Sequence, residues 1–204
     1  MREKGLVRTA DLALQTLLPE WGRLSACALV EWPLPGPAAL ADPAGRWGVP
    51  DDVERMEPAH RRELFHRRLL DGQLVWVIEE GGEVLAYAWY WTEARHEEDG
   101  LSVRVPPRCV WGADMVVRPD MRGRGIGKRM IRSASLGLSQ AGYDRILVFV
   151  DLSNRSMHRM IAPTGSEVRA RLLVLRLGGR VVVREQRGGR TRWRAGRAPL
   201  PLEP

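Results

Sequence analysis

The sequence predicts an α/β fold with a mixed sheet. Three observations indicate it: apolar runs of strand length alternate with segments of helical periodicity, two strand pairs flank Gly-Gly dipeptides, and one buried strand leads through a glycine-rich loop into a helix. With 204 residues the chain is long enough to bury one substantial core. We therefore expect a single domain over residues 1–185, followed by a basic, poorly ordered tail over residues 186–204.

The first 56 residues are expected to contain a helix and a proline-rich segment. Thr9–Trp21 has the pattern of a first helix. Glu31–Pro50 holds five prolines and is predicted to lack regular structure. Because Trp32 and Trp47 are unfavourable in water, we expect this segment to pack on the domain.

The remaining elements follow from apolar periodicity and turn residues. The predicted order is a helix over Glu57–Leu70 with Leu64, Phe65, Leu69 and Leu70 as its apolar face, strands over Gln73–Ile78, Glu83–Trp91 and Cys109–Val117, a helix over Ile126–Gln140, a strand over Arg145–Asp151, a short helix over Asn154–Ala162, and strands over Val168–Leu177 and Arg180–Arg184. Gly81-Gly82 and Gly178-Gly179 are predicted hairpin turns, and the stretch after Trp91 is predicted to be a polar loop.

Composition narrows the class of protein. Hydrophobic residues make up 44% and charged residues 28%, which is ordinary for a soluble globular protein. The chain has neither an apolar run of membrane-spanning length nor the apolar core of a signal peptide, so we expect no membrane partner and a cytoplasmic location. Cys27 and Cys109 fit no metal or redox spacing, so no metal is expected and both thiols should be buried and reduced.

The net charge of +7 is concentrated at one end. Arg169–Arg197 contains ten arginines and one acid, Glu185, which gives +9 and leaves −2 for the rest of the chain. Such a basic end could attract an acidic carrier protein, the phosphates of a cofactor or, as the least favoured partner, nucleic acid. The use of arginine in place of lysine is typical of a composition bias, but that bias does not explain the clustering.

The stretch "MVVRPDMRGRGIGKRM" at Met115–Met130 carries the strongest functional signal. Three glycines occupy alternate positions between a predicted strand and a predicted helix. Glycine lacks a Cβ and tolerates positive φ, so loop amides and the first amides of the helix can point at one spot. With the positive end of the helix dipole behind them, these amides form an anion site that suits phosphates.

Two common phosphate motifs do not match this stretch. A Walker loop needs Ser or Thr after Gly127-Lys128, where this chain has Arg129. A dinucleotide fingerprint needs G-x-G-x-x-G, whereas the spacing here is G-x-G-x-G. The pattern that does match is R-x-x-G-x-G, with Arg122, Gly125 and Gly127.

On these residues the stretch closely resembles the acyl-CoA loop of the GNAT acyltransferase superfamily. The resemblance extends over roughly Glu57–Glu185 and weakens before it, where Gly5–Arg8 is a poor candidate for the family's first strand. It implies a mostly antiparallel sheet with a splayed central strand pair, Cys109–Val117 and Arg145–Asp151. It also implies acetyl-CoA or another acyl-CoA as co-substrate.

The resemblance further implies which residues hold the co-substrate. Backbone groups of β-strand residues before the loop would pair with the pantetheine arm, loop amides would hold the pyrophosphate, and Arg122 would add a fixed cation. The expected cofactor-binding residues are Met115, Val116, Val117, Arg122, Gly123, Arg124, Gly125, Ile126, Gly127, Lys128 and Asn154.

Amine acylation requires a proton acceptor, because an alkyl ammonium has a reference pKa of about 10.4. Asp114 is the best candidate, since it interrupts an apolar strand. Asp114 lies eight residues before Arg122. The aminoglycoside 6′-acetyltransferase branch resembles this chain in carrying an Asp at the same distance before its loop arginine. The alternative, an Asp at a strand bulge or on the outer face, stays open. Glu79 and Glu80 are weaker candidates and are expected to be solvated turn residues.

The usual proton donor to the leaving thiolate is missing. Many family members carry a Tyr seven residues after the Asn that matches Asn154, and here Ile161 takes its place. Isoleucine cannot donate a proton. The thiolate leaves unassisted, Ser156 or His158 substitutes as a catalytic residue, or the protein does not catalyse transfer; all three readings stay open.

The resemblance thus predicts an N-acyltransferase. It would move an acyl group, in the simplest case acetyl, from CoA to a primary amine of a small molecule or peptide by direct attack in a ternary complex. The proline-rich segment is expected on the acceptor side. The alternatives are transfer from an acyl carrier protein docked on the arginine-rich end, and a non-catalytic module that binds acyl-CoA or nucleic acid. A homodimer is left open.

Overall fold

The computed structural model describes residues 22–36 and 44–202. The strands and helices of these residues are β1 (Gly22–Pro33), β2 (Arg46–Trp47), α1 (Pro50–Val53), α2 (Arg62–Leu70), β3 (Leu74–Glu80), β4 (Glu83–Trp91), β5 (Arg95–Glu98), β6 (Leu101–Arg104), β7 (Cys109–Val117), α3 (Ile126–Gln140), β8 (Arg145–Asp151), α4 (Arg155–Ile161), β9 (Glu167–Leu177), β10 (Arg180–Arg187), β11 (Arg190–Arg197) and β12 (Leu200–Leu202). The predicted helix Thr9–Trp21 and strand Gly5–Arg8 lie outside the described residues.

The described residues group into two compact units. The loop unit comprises residues 32–36, 44–92 and 106–147, and the hairpin unit comprises residues 22–31, 93–105 and 148–202. β1 and β8 each run from one unit into the other. The expectation of a single domain ending at residue 185 stays a prediction.

The loop unit contains a mixed sheet in the order β8-β7-β4-β3-β2. Neighbouring strands of this sheet are antiparallel, except that β7 and β8 are parallel to each other. That parallel pairing joins only Cys109–Trp111 to Arg145–Leu147, which is the short pairing expected of a splayed strand pair. The predicted α/β class with a mixed, mostly antiparallel sheet is confirmed.

The core of the loop unit lies on both faces of β4. On one face Phe65 of α2 packs its ring 5.3 Å from the ring of Tyr87 and 5.6 Å from that of Trp89. On the other face α3 covers the sheet, and Trp76 Nε1 donates a hydrogen bond of 2.7 Å to Ser133 Oγ of that helix. A strand covered on both faces reads as a nearly continuous apolar run, as β4 does.

Two predictions for this unit need correction. The predicted helix Glu57–Leu70 is shorter, because a 3-10 turn over Ala59–Arg61 precedes α2. Its predicted apolar face is wrong in part: Phe65 is fully buried, whereas Leu64 is 36% and Leu70 87% exposed. α2 reaches the core through Phe65 and through the partly buried Leu69 beside it, so Leu64 and Leu70 need not face the sheet.

The described parts of the proline-rich segment, residues 31–36 and 44–50, pack as expected but are partly regular. Trp32 is buried, and the ring of Trp47 stands edge-on to that of Trp76 at 4.8 Å. Against the prediction, β1 extends to Pro33 and β2 forms at Arg46–Trp47. Proline ends β1 and does not interrupt it, which is where a strand tolerates this residue.

The hairpin unit holds strands in the order β11-β10-β9-β1-β8. From β11 to β1, each strand is antiparallel to its neighbour. β1 was missed by the sequence prediction, since a short apolar run such as Ala26–Val30 does not distinguish a strand from a helix. Its partner β9 decides the matter by pairing with it from Gly22 to Glu31. A second sheet has the order β12-β6-β5. Its strands β5 and β6 lie in the stretch after Trp91, for which the sequence predicts a polar loop, so that prediction is wrong.

The expected lack of regular structure after Gln186 is wrong for the described residues. β10 continues to Arg187, β11 spans Arg190–Arg197 and β12 buries Leu202. The sequence of β11 has no apolar periodicity, so its strand conformation depends on the register with β10, in which Arg184 lies opposite Trp193.

Candidate active site

The glycine loop, Arg122–Lys128, connects β7 to α3. Gly123 has φ 76° and Gly125 has φ 79°, both in the left-handed region, and Gly125 is the N-cap of α3. A Cβ added at either glycine would meet no atom within 4 Å. Glycine is therefore required here by the backbone conformation, and the space above the loop is open to a ligand.

The first turn of α3 is available to an anion. The first amides of an α-helix have no intrahelical acceptor. No side chain of a described residue caps those of α3, and no acid lies in its first turn. The helix has 15 residues, so its dipole adds positive potential at the same end.

Among the described residues no carboxylate lies within ion-pair distance of three cations of the loop, Arg122, Arg124 and Lys128, although Arg124 helps to lower the pKa of Asp120. Arg122 is fixed by a hydrogen bond of 3.3 Å from its Nε to the Val117 carbonyl. The neighbouring Arg129 instead forms an ion pair of 2.6 Å with Glu80. The residues present thus fit a phosphate-bearing group.

The end of β7 offers a free backbone edge. Val116 and Val117 pair with Tyr87 and Ala86 of β4 on one side. On the other side the pairing with β8 stops at Trp111. Met115–Val117 can therefore receive an extended, amide-rich ligand as an added strand.

Asp114 occupies a bulge in β7. The register passes from Tyr87 opposite Val116 to Trp89 opposite Ala113, so Asp114 and Met115 together face one residue of β4. Asp114 has φ 41°, a left-handed conformation that Asp tolerates better than most residues. A bulge re-aims a side chain, and here it turns the carboxylate toward α2.

Two arginines bind that carboxylate. Asp114 Oδ2 lies 2.7 Å from Nη2 of Arg61 and 2.6 Å from Nη2 of Arg68. Burial acts to raise the pKa of Asp114, but the two guanidinium groups outweigh it and hold the pKa below its ordinary value. The carboxylate is therefore ionised at neutral pH, and it is a weaker base than a solvated Asp.

Aromatic rings surround this arginine pair. The Arg68 guanidinium lies 4.9 Å from the ring centroid of Trp91 and 5.4 Å from that of Trp89. Tyr87 donates a hydrogen bond of 2.6 Å from its hydroxyl to the Glu57 carbonyl, and burial raises its pKa to about 12. The sequence reasoning missed both arginines; their spacing of seven residues, two turns of a helix, was the available signal.

The weaker acid candidates are held in ion pairs. Glu79 pairs with Arg46 and, at 3.3 Å, with Arg55. Glu80 pairs with Arg129. Glu80 is exposed, as expected of a solvated turn residue, and Glu79 is half-buried. Their arginine partners come from neighbouring elements, which the local sequence does not show.

The other predicted site residues lie in the hairpin unit. Asn154 caps α4, its side-chain oxygen accepting from the Met157 amide at 3.0 Å. His158 Nε2 lies 3.1 Å from the Asp151 carbonyl, which only accepts, so Nε2 carries the proton. Ser156 is exposed, and Ile161 is buried.

Metal clusters, disulfides and membrane-spanning helices are absent from the part of the chain that the structure describes. No group of three or more His, Cys, Asp or Glu residues there is arranged to hold a metal ion. Cys27 and Cys109 are both buried and form no disulfide. Among residues 22–36 and 44–202, no helix is long and apolar enough to cross a membrane.

A strand with a free edge, left-handed glycines and an uncapped helix together form a loop that suits a phosphate-bearing ligand. The model of the acetyltransferase (GNAT) family matches residues 41–165, and the chain belongs to this family. No curated protein matches the sequence at a significant level.

Solved structures of the same family share the fold. A GNAT-family protein from Novosphingobium aromaticivorans is 18% identical with a TM-score of 0.53, over 76% of this chain and 64% of that one. A GNAT-family acetyltransferase from Colwellia psychrerythraea is 13% identical with a TM-score of 0.54, over 83% and 63%. The chain thus spans just under two thirds of the length of each.

Proposed function

We propose that the protein is an N-acyltransferase that transfers an acyl group, in the simplest case acetyl, from CoA to a primary amine of a small molecule or peptide. The observation that carries this proposal is the glycine loop. Its two left-handed glycines open onto free space at an uncapped helix N-terminus, next to three cations without acid partners. The family match covers this loop.

The loop would hold the donor by its diphosphate. Amides of residues 123–128 and the Arg122 guanidinium supply hydrogen bonds and positive charge at the point where the phosphates would lie. The free edge of Met115–Val117 would pair with the pantetheine arm. Because backbone groups make most of these contacts, the donor site should depend more on loop conformation than on side-chain identity.

Asp114 would serve the acceptor. An amine attacks only after its ammonium form loses a proton. The ionised Asp114 carboxylate can accept a hydrogen bond from that ammonium and pass the proton to water, since its lowered pKa disfavours keeping it. The neutral nitrogen then attacks the thioester carbonyl carbon. As the carbon–sulfur bond breaks, the sulfur leaves with the bonding electrons as a thiolate, and the nitrogen gives up a second proton to water to become the amide.

The departing thiolate needs little help. A thiol of this kind has a pKa of about 8.5, so the absence of an acid lowers the rate modestly. Ile161 has no proton to give, and the N–H of His158 is held by the Asp151 carbonyl. These contacts favour unassisted departure over donation by His158, and Ser156 stays the alternative donor.

A thiol-release assay tests the activity. Purified protein with acetyl-CoA and a panel of primary amines should liberate free thiol faster with at least one amine than without any. A protein that binds acetyl-CoA tightly and releases no thiol above background with any amine would be a non-catalytic acyl-CoA-binding module instead.

A further inference from the structure

The β10–β11 hairpin contains a cavity of about 430 Å³ that the acyltransferase chemistry does not use. Its lining residues are Glu185, Arg187, Gly188, Arg190, Arg192 and Arg194. The volume lies within the range of small-ligand pockets. All six residues belong to the hairpin unit, and none was assigned to CoA or to the acceptor.

Strand alternation places the arginines on one face. Successive residues of a strand point to opposite faces, so Arg190, Arg192 and Arg194 of β11 share a face. The register puts Arg190 opposite Arg187 and Arg192 opposite Glu185. The sequence R-T-R-W-R at residues 190–194 is thus a one-sided basic ladder.

The cavity has an excess of positive charge. Glu185 is 8% exposed and accepts a hydrogen bond of 3.1 Å from Arg187 Nε, so these two charges compensate each other. Arg190, Arg192 and Arg194 have no carboxylate of a described residue within ion-pair distance.

We propose that this cavity binds a compact anion carrying two or three phosphate groups, such as inorganic triphosphate or the triphosphate of a nucleotide. Guanidinium groups bind phosphate oxygens through paired, planar hydrogen bonds. Three uncompensated arginines around one concave space suit several phosphates held close together.

A strand of nucleic acid suits this cavity less well. Proteins that bind single strands combine a basic groove with aromatic side chains on which bases stack. The exposed aromatic residue of this hairpin, Trp193, points away from the arginines, since it lies at an odd offset from them in β11. The phosphates and the stacking platform would therefore fall on opposite faces.

The test is a calorimetric titration with inorganic triphosphate at constant ionic strength. It uses Gly125→Glu protein, so that the glycine loop cannot bind the probe. The double variant Arg190→Gln/Arg192→Gln should bind at least tenfold more weakly. The matched control is Arg180→Gln/Arg197→Gln. These two arginines lie opposite each other on the other face of the hairpin, so the control removes the same charge without touching the cavity. Its affinity for triphosphate should stay within twofold of that of the Gly125→Glu protein.

Several results would overturn the proposal. If the wild-type protein binds triphosphate and the Gly125→Glu protein does not, the probe binds at the glycine loop. If both double variants lose binding equally, the attraction is nonspecific. If an oligonucleotide or an acidic carrier protein binds the same arginines more tightly than triphosphate, the proposal of a compact polyphosphate ligand is wrong. If the double variant does not fold, the single variant Arg192→Gln takes its place, because Arg192 is exposed. We expect it to lower the affinity for triphosphate about fivefold.

Discussion

Asp114 Oδ2 lies 2.6 Å from Nη2 of Arg68, whose guanidinium in turn lies against the rings of Trp91 and Trp89. The carboxylate sits at a β-bulge, and Arg61 contacts the same oxygen. The acid that the sequence suggests as the proton acceptor is therefore ionised at neutral pH and oriented by two cations.

We expect Asp114→Asn to lower kcat by about a hundredfold or more, within the range of general base catalysis. CoA affinity should barely change, because backbone groups hold the donor. The loss should shrink at high pH, where more of the amine is already neutral. Steady-state kinetics from pH 6 to about 9.5 measure kcat and its pH dependence. Asp144→Asn makes the same Asp-to-Asn change at an exposed position and is the control.

The same measurements can contradict the assignment. Near-full activity of Asp114→Asn at neutral pH, together with an inactive His158→Ala, would make His158 the acid or base of the site. Ser156→Ala should have a smaller effect than Asp114→Asn.

Gly125→Glu should abolish the rise in melting temperature that CoA or acetyl-CoA produces through ligand linkage. The new side chain puts bulk and negative charge at the N-terminus of α3, where the diphosphate would lie. The melting temperature without ligand is expected to fall as well, because Gly125 has φ 79°, so the ligand-induced difference is the quantity to compare.

Gly179→Glu is the control for that experiment. It adds the same side chain at a hairpin glycine where a Cβ meets nothing within 4 Å. Equal stabilisation of the Gly125→Glu and Gly179→Glu proteins by CoA would remove the glycine loop from the donor site.

Asp52 should be essential for stability. It is 0% exposed, and it accepts hydrogen bonds of 2.7 Å from Arg46 and 2.8 Å from the Val49 amide. Asp52→Asn removes the buried charge that Arg46 and Arg55 share and leaves them paired with Glu79 alone. We expect a loss of about 2 kcal/mol in the free energy of unfolding, the range of a hydrogen bond to a charged group. Asp51→Asn, on the exposed side of α1, should change it by less than about 0.5 kcal/mol.

The pH dependence of stability gives a second readout of Asp52. Burial acts to raise its pKa, but Arg46, the Val49 amide and Arg55 outweigh it and hold the pKa below 3.8. A depressed pKa in the folded state stabilises the fold above the unfolded-state pKa, and that contribution is lost as the pH falls through the folded-state pKa. Urea unfolding should therefore show wild-type stability falling more steeply below about pH 4 than that of Asp52→Asn; parallel curves would contradict this.

Gly137→Ala should destabilise the protein although alanine favours helices. A Cβ at Gly137 would lie 2.0 Å from Cζ3 of Trp76. The ring cannot move aside easily, because Trp76 is 2% exposed and bonds Ser133. Overpacking of about 1–3 kcal/mol should exceed the helix propensity gain of about 1 kcal/mol.

Chemical denaturation measures the effect of Gly137→Ala. Gly179→Ala, where nothing lies within 4 Å of the added Cβ, should be nearly neutral. An unchanged or raised free energy of unfolding for Gly137→Ala would show that the Trp76 ring relocates.

The sequence alone determined the elements that depend on local chemistry. The bounds of β7, α3 and β8 agree with their predicted ranges, because apolar runs and helical periodicity mark them directly. The glycine loop was also readable, since left-handed backbone conformations at Gly123 and Gly125 are a property of the residue type. Acyl-CoA as co-substrate rests on that loop.

Tertiary structure decided the features that depend on partners distant in sequence. β1 and β11 are strands through their registers with β9 and β10, and neither carries a clear pattern of its own. Asp114 meets Arg61 and Arg68 across about fifty residues of chain because a bulge turns it toward α2. A sequence specifies which charges exist, but only the folded backbone sets their separation, and electrostatic energy and pKa depend on that separation.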